Sequence, residues 1–414
     1  MDLIKLNALD ALDMMKNGEL SAEEYVRAFL DHIKIREPLI GAWAFLDPEL
    51  AIQQARHADK RWRDGNPGQL NGIPIGIKDI IDTKDMPTEY GPSIYKDSRT
   101  SEDAHVVKLL KDAGAVIMGK CVASGSGLAV HGKTKNPKDL ECTPGGTSSG
   151  SAAAVSDHMV PLAIGSQVAG STLKPASFTG ILGFKPTFGT ISRYGMSPVS
   201  QILDHVGIFA NSIGDIDLVS SFLFSFDEND LDMNKNYNYN QEYVLTKAPK
   251  FAFVKGPVWG FGEDDMKAQI VKFIKDSSFE VEELNLNDGF RRAAGSHAII
   301  ASAVRETSKQ YIDAIEQAKK MRQILKSIFT KFDAIITPAA TGQAPRDLMN
   351  TGNAIFNGYW TMMGVPAISL PVLKGKDGLP IGIQVITSWN EDSKLLKIAE
   401  FILQETKKSS QVLF

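Results

Sequence analysis

Short apolar runs alternate with helical stretches along most of this 414-residue chain. That alternation constrains the fold more than any other feature. Ile73–Ile77, Ala115–Met118, Val160–Ile164, Phe251–Val254, Ala334–Ile336, Ala367–Pro371 and Ile381–Ile386 read as strands, short and apolar enough to be buried. Between them lie helix signals. Ser21-Ala22-Glu23-Glu24 is a capping box, followed by Val26, Phe29, Leu30 and Ile33 at helical spacing. Asp47-Pro48 is a cap with proline at the first helical position, and Ala51, Ala55 and Ala58 follow. Further helices are expected over Asp103–Ala113 and Ser151–Asp157. The pattern predicts one α/β unit around a mixed central sheet, in one domain over 1–414. Residues 1–65 read as helices packing on the core. The asparagine-rich 227–241 reads as a surface loop, and no internal repeat or linker stands out.

Composition narrows the function. Apolar residues make up 43% and charged residues 23%, as in ordinary globular proteins. A net charge of −4 and a pI near 6.0 argue against a nucleic-acid face carried by bulk charge. Two cysteines, Cys121 and Cys142, make no disulfide framework, and no Cys/His spacing suits a metal. The first residues lack the basic flank and apolar core of a signal peptide, and no apolar stretch of about 18 residues would span a membrane. A cytoplasmic enzyme without membrane contact is expected.

Three motifs compete for the chemistry. Gly127-Leu128-Ala129-Val130-His131-Gly132-Lys133-Thr134 matches the phosphate-loop pattern G-x-x-x-x-G-K-[ST]. That loop must open a helix, and Pro137 would interrupt one there. Gly146-Thr147-Ser148-Ser149-Gly150 matches the G-x-S-x-G elbow. An elbow needs a preceding strand, which Lys138–Pro144 does not resemble, and a downstream histidine such as His205 or His297. The third constellation joins Lys78, at the end of the 73–77 run, to two turns of small residues, 145–151 and Gly165–Ser171. Lys78 could be a surface lysine or pair with Asp79, and glycine and serine most often mean only tight turns. Taken together, they supply what amide hydrolysis needs. A serine hydroxyl requires a base to attack, and burial lowers a lysine pKa enough to make it one. A second hydroxyl can relay the proton, and small residues leave amide N–H groups free for an oxyanion.

Thr143–Val155, Gly165–Ser171 with Lys174-Pro175-Ala176-Ser177, and Gly183-Phe184-Lys185-Pro186-Thr187 resemble the amidase signature. Ile40–Phe45, Lys78-Asp79-Ile80, Leu203–Gly207, Gly364–Ala367 and Pro380–Gln384 extend the resemblance over nearly the whole chain, with 70–210 as the signature region. The resemblance implies the amidase-signature fold, a mixed many-stranded sheet with helices on both faces, and a Ser–cis-Ser–Lys triad. By position it makes Ser171 the acylated serine, Lys78 the base and Thr147 the bridging hydroxyl, where the family usually has serine; Ser148 is the alternative relay. Val168, Ala169 and Gly170 fall at the oxyanion-hole positions, and Tyr90 and Gly127 are assigned to the substrate pocket. Gln167 stands where many members carry aspartate and Lys174 where many carry arginine, and 122–128 lacks an acidic residue common in relatives.

The leading expectation is an amidase acting on a small-molecule amide, releasing ammonia or an amine through an acyl-enzyme. No metal or organic cofactor is implied, and a homodimer is compatible with the sequence. Ile191-Ser192-Arg193-Tyr194-Gly195 resembles the glutaminase subunit of glutamyl-tRNA amidotransferases, which works with a partner. The chain is short for that subfamily, and Thr337–Pro345 and Asn357–Trp360 look more like other amidases. A third reading, an inactive amidase-like binding subunit, is motivated by Thr147 and the altered 122–128 segment.

Overall fold

The computed structural model describes residues 2–91, 95–124, 133–237, 239, 243–286, 288–301 and 307–408, with only the backbone of 288–294. In chain order its strands are β1 (Trp43–Leu46), β2 (Pro74–Lys78), β3 (Val116–Cys121), β4 (Leu162–Gln167), β5 (Leu182–Lys185), β6 (His205–Ala210), β7 (Phe251–Val254), β8 (Val281–Leu284), β9 (Ala334–Pro338), β10 (Ala367–Lys374) and β11 (Pro380–Ile386). Among the described residues they form one sheet, ordered β1-β3-β2-β4-β6-β5-β10-β11-β9-β7-β8. β2 runs parallel to β3 and β4, and β7 runs parallel to β8 and β9. The remaining pairs are antiparallel, so the sheet is mixed.

The helices are α1 (Ala8–Lys16), α2 (Ala22–Ile40), α3 (Pro48–Arg63), α4 (His105–Asp112), α5 (Ser149–Ser156), α6 (Leu173–Thr179), α7 (Ile213–Leu223), α8 (Asp264–Asp276), α9 (Asp288–Ala301), α10 (Ser308–Phe329), α11 (Ile355–Met363) and α12 (Asp392–Lys408). Every residue of β2, β3, β4 and β6 is buried. Successive strand residues face opposite sides, so both faces of the sheet are covered. This explains why β2, β3 and β4 read as largely apolar runs rather than alternating ones. No helix among the described residues is long and apolar enough to cross a membrane.

The local signals hold. Ser21 accepts from the Glu24 amide and Glu24 returns the bond at the start of α2, and Asp47 caps α3 with Pro48 in its first turn. Two expectations change. The first 65 residues are not all helical, because β1 pairs with β3 at the sheet edge. Gly165 and Ser166 belong to β4 rather than to a turn, since they pair with Gly207 and Val206 of β6. Residues 227–241 form no helix or strand where described and expose Glu228, Asn229, Leu231, Asn234, Lys235 and Asn236, but other side chains of the segment are tied to the body of the protein. Tyr237 donates to Asp392 at 2.9 Å, Tyr239 stacks on Phe224 at 4.3 Å and donates to Asp217, and Asp227 and Asp230 are buried.

β2 and β4 are parallel neighbours with Ile77 opposite Ile164. Their C-terminal ends therefore bring Lys78 and the Ser166–Gln167 pair to the same end of the sheet. The turn that follows β4 carries Ser171 into α6. α5, made of alanine, serine, glycine and one valine and wholly buried, packs close to β4 and β2.

Candidate active site

Lys78 is fully buried at the last position of β2. Burial pushes its pKa down to about 7, against a weak opposing pull from Asp204. Asp204 is held away by the amides of Val199 and Ser200. Asp79, the ion-pair partner in the alternative reading of Lys78, turns instead toward Lys120 at 3.6 Å. Lys78 thus has no carboxylate within ion-pair distance among the described residues, and near neutral pH both its ammonium and its amine are accessible.

Two hydroxyls meet its Nζ, those of Thr147 and, at 2.8 Å, of Ser166. Thr147 follows a cis peptide bond from Gly146 and bridges backbone-to-backbone with Ser124. Gly145 precedes it at φ +85°, where an added Cβ would also press on Pro175 and Phe178, so the turn requires glycine. Ser148 points elsewhere: its hydroxyl donates to the Ser166 carbonyl at 3.1 Å and accepts the Ser166 amide at 3.2 Å. Ser166 itself carries no motif that marks it. The signal that could have found it is register, because a strand paired in parallel with β2 sets a residue near 166 beside Lys78.

The turn between β4 and α6 is braced from three sides. Gln167 accepts from the amides of Thr172 and Leu173 at 2.9 and 3.1 Å and donates to Thr361 at 3.0 Å. Glutamine thereby caps α6 through its carbonyl oxygen, as an aspartate would. Thr361 of α11 donates to the Ala169 carbonyl at 2.8 Å, and the His297 ring meets the Val168 carbonyl at 3.0 Å. Gly170 lies so close to Asn357 that a Cβ would sit 2.4 Å from its Oδ1. The carbonyls of Val168, Ala169 and Gly170 are all engaged, while no acceptor bonds the amides of residues 168–171 among the described residues. Such free, fixed amides can receive developing negative charge. Ser171, 9% exposed, stands at the end of this turn.

The other expected residues fall as follows. Tyr90 joins the Lys78 segment, its amide donating to the Asp79 carbonyl and its hydroxyl to Asp82 at 3.1 Å. Gly127 and His131 lie outside the described residues. Of the phosphate-loop match, Lys133 donates to the Trp43 carbonyl and Thr134 to the Gly41 carbonyl, so both tie the segment to the sheet edge. His205 is buried with its Nδ1 on the Leu203 carbonyl, and neither His205 nor His297 bonds Ser148. Lys174, one turn beyond Ser171, is buried, bonds the Gly352 carbonyl at 2.7 Å, and is lowered to about 7 by desolvation. Among the described residues no group of acidic, cysteine and histidine side chains could hold a metal.

Comparison with known proteins finds relatives over nearly the whole chain. The Amidase family model matches residues 24–288 and 261–396. A glutamyl-tRNA(Gln) amidotransferase subunit from Clostridium botulinum (strain Loch Maree / Type A3) is 31% identical over 472 aligned positions, covering 96% of this chain and 97% of that protein. The crystal structure of the subunit of the same name from Thermotoga maritima superposes with a TM-score of 0.81 at 26% identity, over 96% and 94% of the two chains. The native peptide amidase of Stenotrophomonas maltophilia superposes with a TM-score of 0.83 at 24% identity, over 99% and 98%. The family model matches most of the chain and the amidotransferase subunit is 31% identical over nearly all of it, so the chain belongs to the amidase family and is an enzyme of amide C–N bonds.

Proposed function

We propose that the protein hydrolyses a small carboxamide through an acyl-enzyme on Ser171. Lys78, in its amine form, takes the Thr147 proton as Thr147 takes that of Ser171, and the Ser171 oxygen attacks the amide carbon. The oxyanion forms against the amides of the 168–171 turn. The C–N bond then breaks, the nitrogen leaves with the proton returned through Thr147, and water releases the acid by the same route. The observation that carries this reading is the contact between Lys78 and Thr147, made by a lysine whose burial holds its pKa down to about 7.

A serine-directed phosphonofluoridate followed by intact mass is the direct test. One adduct on the native protein and none on Ser171→Ala is expected, with ammonia released from a member of a diverse amide panel. Turnover by Ser171→Ala above about a hundredth of the native rate would overturn the assignment, since losing a covalent nucleophile costs orders of magnitude more.

A second reading is a glutaminase subunit that hands ammonia to a partner. It is favoured by the amidotransferase relative, 31% identical and matched over 97% of its length. Co-purification with a second protein, together with ammonia release confined to glutamine, would select it over the stand-alone amidase.

A further inference from the structure

Beside the catalytic end of the sheet lies a cavity of about 640 Å³, lined by none of Lys78, Thr147 or Ser171. Its volume falls in the range of small-molecule sites, roughly 300–1,000 Å³. One wall is a single face of α10, where Ile315, Ala318, Arg322 and Lys326 recur at helical spacing. The opposite wall is apolar: Phe188, Leu203, Met362, Met363 and Trp389. No acidic side chain lines it among the described residues.

The cations are unequally engaged. Lys319 pairs with Glu316 at 2.8 Å. Arg322 donates through Nε and one Nη to the carbonyls of Met363 and Met362 at 3.1 and 3.0 Å, which fixes its guanidinium against the end of α11. Among the described residues, no carboxylate lies within ion-pair distance of Arg322 or Lys326. A guanidinium held in place by two carbonyls, beside an apolar chamber, presents a fixed donor to an anion. The apolar wall favours a ligand that brings its own hydrocarbon.

We propose that this cavity binds an amphipathic carboxylate, its hydrocarbon body against Phe188, Leu203 and Met362 and its head on Arg322 and Lys326. The site rests on none of the catalytic assignments. It does share an element with them: α11 ends in the cavity wall and, one residue before Met362, bonds the Ala169 carbonyl through Thr361.

Decanoate is a suitable probe, with decanol as its neutral counterpart, measured by isothermal titration on the full chain. One decanoate per chain is expected, with decanol at least about tenfold weaker, the equivalent of one charge-assisted hydrogen bond. Arg322→Leu and, separately, the exposed Lys326→Ser should each weaken decanoate by about tenfold and leave decanol unchanged. A chain blocked at Ser171 by a phosphonofluoridate should bind decanoate as before. 10-Bromodecanoate should quench tryptophan fluorescence in the native chain and lose that component in Trp389→Phe. The proposal falls if decanoate does not bind, if decanol binds equally well, if Lys326→Ser and Arg322→Leu are both without effect, or if blocking Ser171 abolishes binding, which would place the ligand in the catalytic site.

Discussion

Lys78 turns on whether an amine can exist at working pH. Its ordinary pKa, about 10.4, would leave almost none. Burial brings it down to about 7, so the rate should fall as pH drops through about 7 and the amine takes up a proton. In a pH–rate profile limited by acylation, Lys78→Ala should lose most activity together with that acid limb. His205→Gln should keep the limb's shape, because the His205 ring bonds the Leu203 carbonyl and packs on Phe188, away from the hydroxyls at Lys78. If the histidine variant loses the limb and Lys78→Ala keeps it, a histidine is the base. Thr147 gives the complementary prediction. Thr147→Ser retains the hydroxyl and should hold or raise kcat, whereas Thr147→Ala should lower it by about a hundredfold or more, the low end of what a positioned proton carrier contributes. Near-native turnover in Thr147→Ala with collapse in Ser148→Ala would move the relay to the hydroxyl that now bonds the Ser166 backbone.

Among the elements, α6 depends on a side chain outside it. Gln167 supplies the cap that Thr172 does not, so Gln167→Ala should destabilise the fold by about 1–2 kcal/mol in denaturant titration and lower kcat as the turn before Ser171 loosens. An unchanged midpoint would show that Thr361 and His297 hold the turn without it. This same region shows what sequence reading reaches. Lys78, Thr147 and Ser171 could be singled out as candidates because they sit at matching positions of the amidase signature, and the structure brings Lys78 and Thr147 into contact. The caps of α2 and α3 were legible as local patterns. Ser166, Gln167 as a cap and Thr361 were not, because each acts through a neighbour distant in sequence or through strand register. The asparagines of 227–241 do mark a loop, but nothing local shows that Tyr237 and Tyr239 tie it to Asp392 and Asp217.

At the scale of the whole molecule, four lysines are buried among the described residues: Lys78, Lys174 and Lys185 lowered to about 7, and Lys120 to about 8. Each is depressed below its unfolded value, so between about pH 7 and the lysine range near 10.4 the unfolded chain binds protons the native one does not. Stability should therefore rise with pH across that window, and the penalty should be fully present below it. Tm measured from pH 7 to 9 should increase, and Lys185→Met, which removes one such group, should make the rise shallower; an equal slope in both would exclude Lys185 as a contributor. The strand order also sets a schedule for synthesis. All the proposed reactive side chains lie before residue 172, but β5 meets its second neighbour only when β10, Ala367–Lys374, has been made. Thr361, which bonds the Ala169 carbonyl in the turn before Ser171, and Asn357, which packs against Gly170, come nearly as late. A chain still growing on the ribosome near residue 300 thus carries every proposed reactive group and the Gln167 brace, but neither Thr361 nor β10. Hydrolysis is therefore expected only after the last quarter of the chain has emerged and joined the sheet.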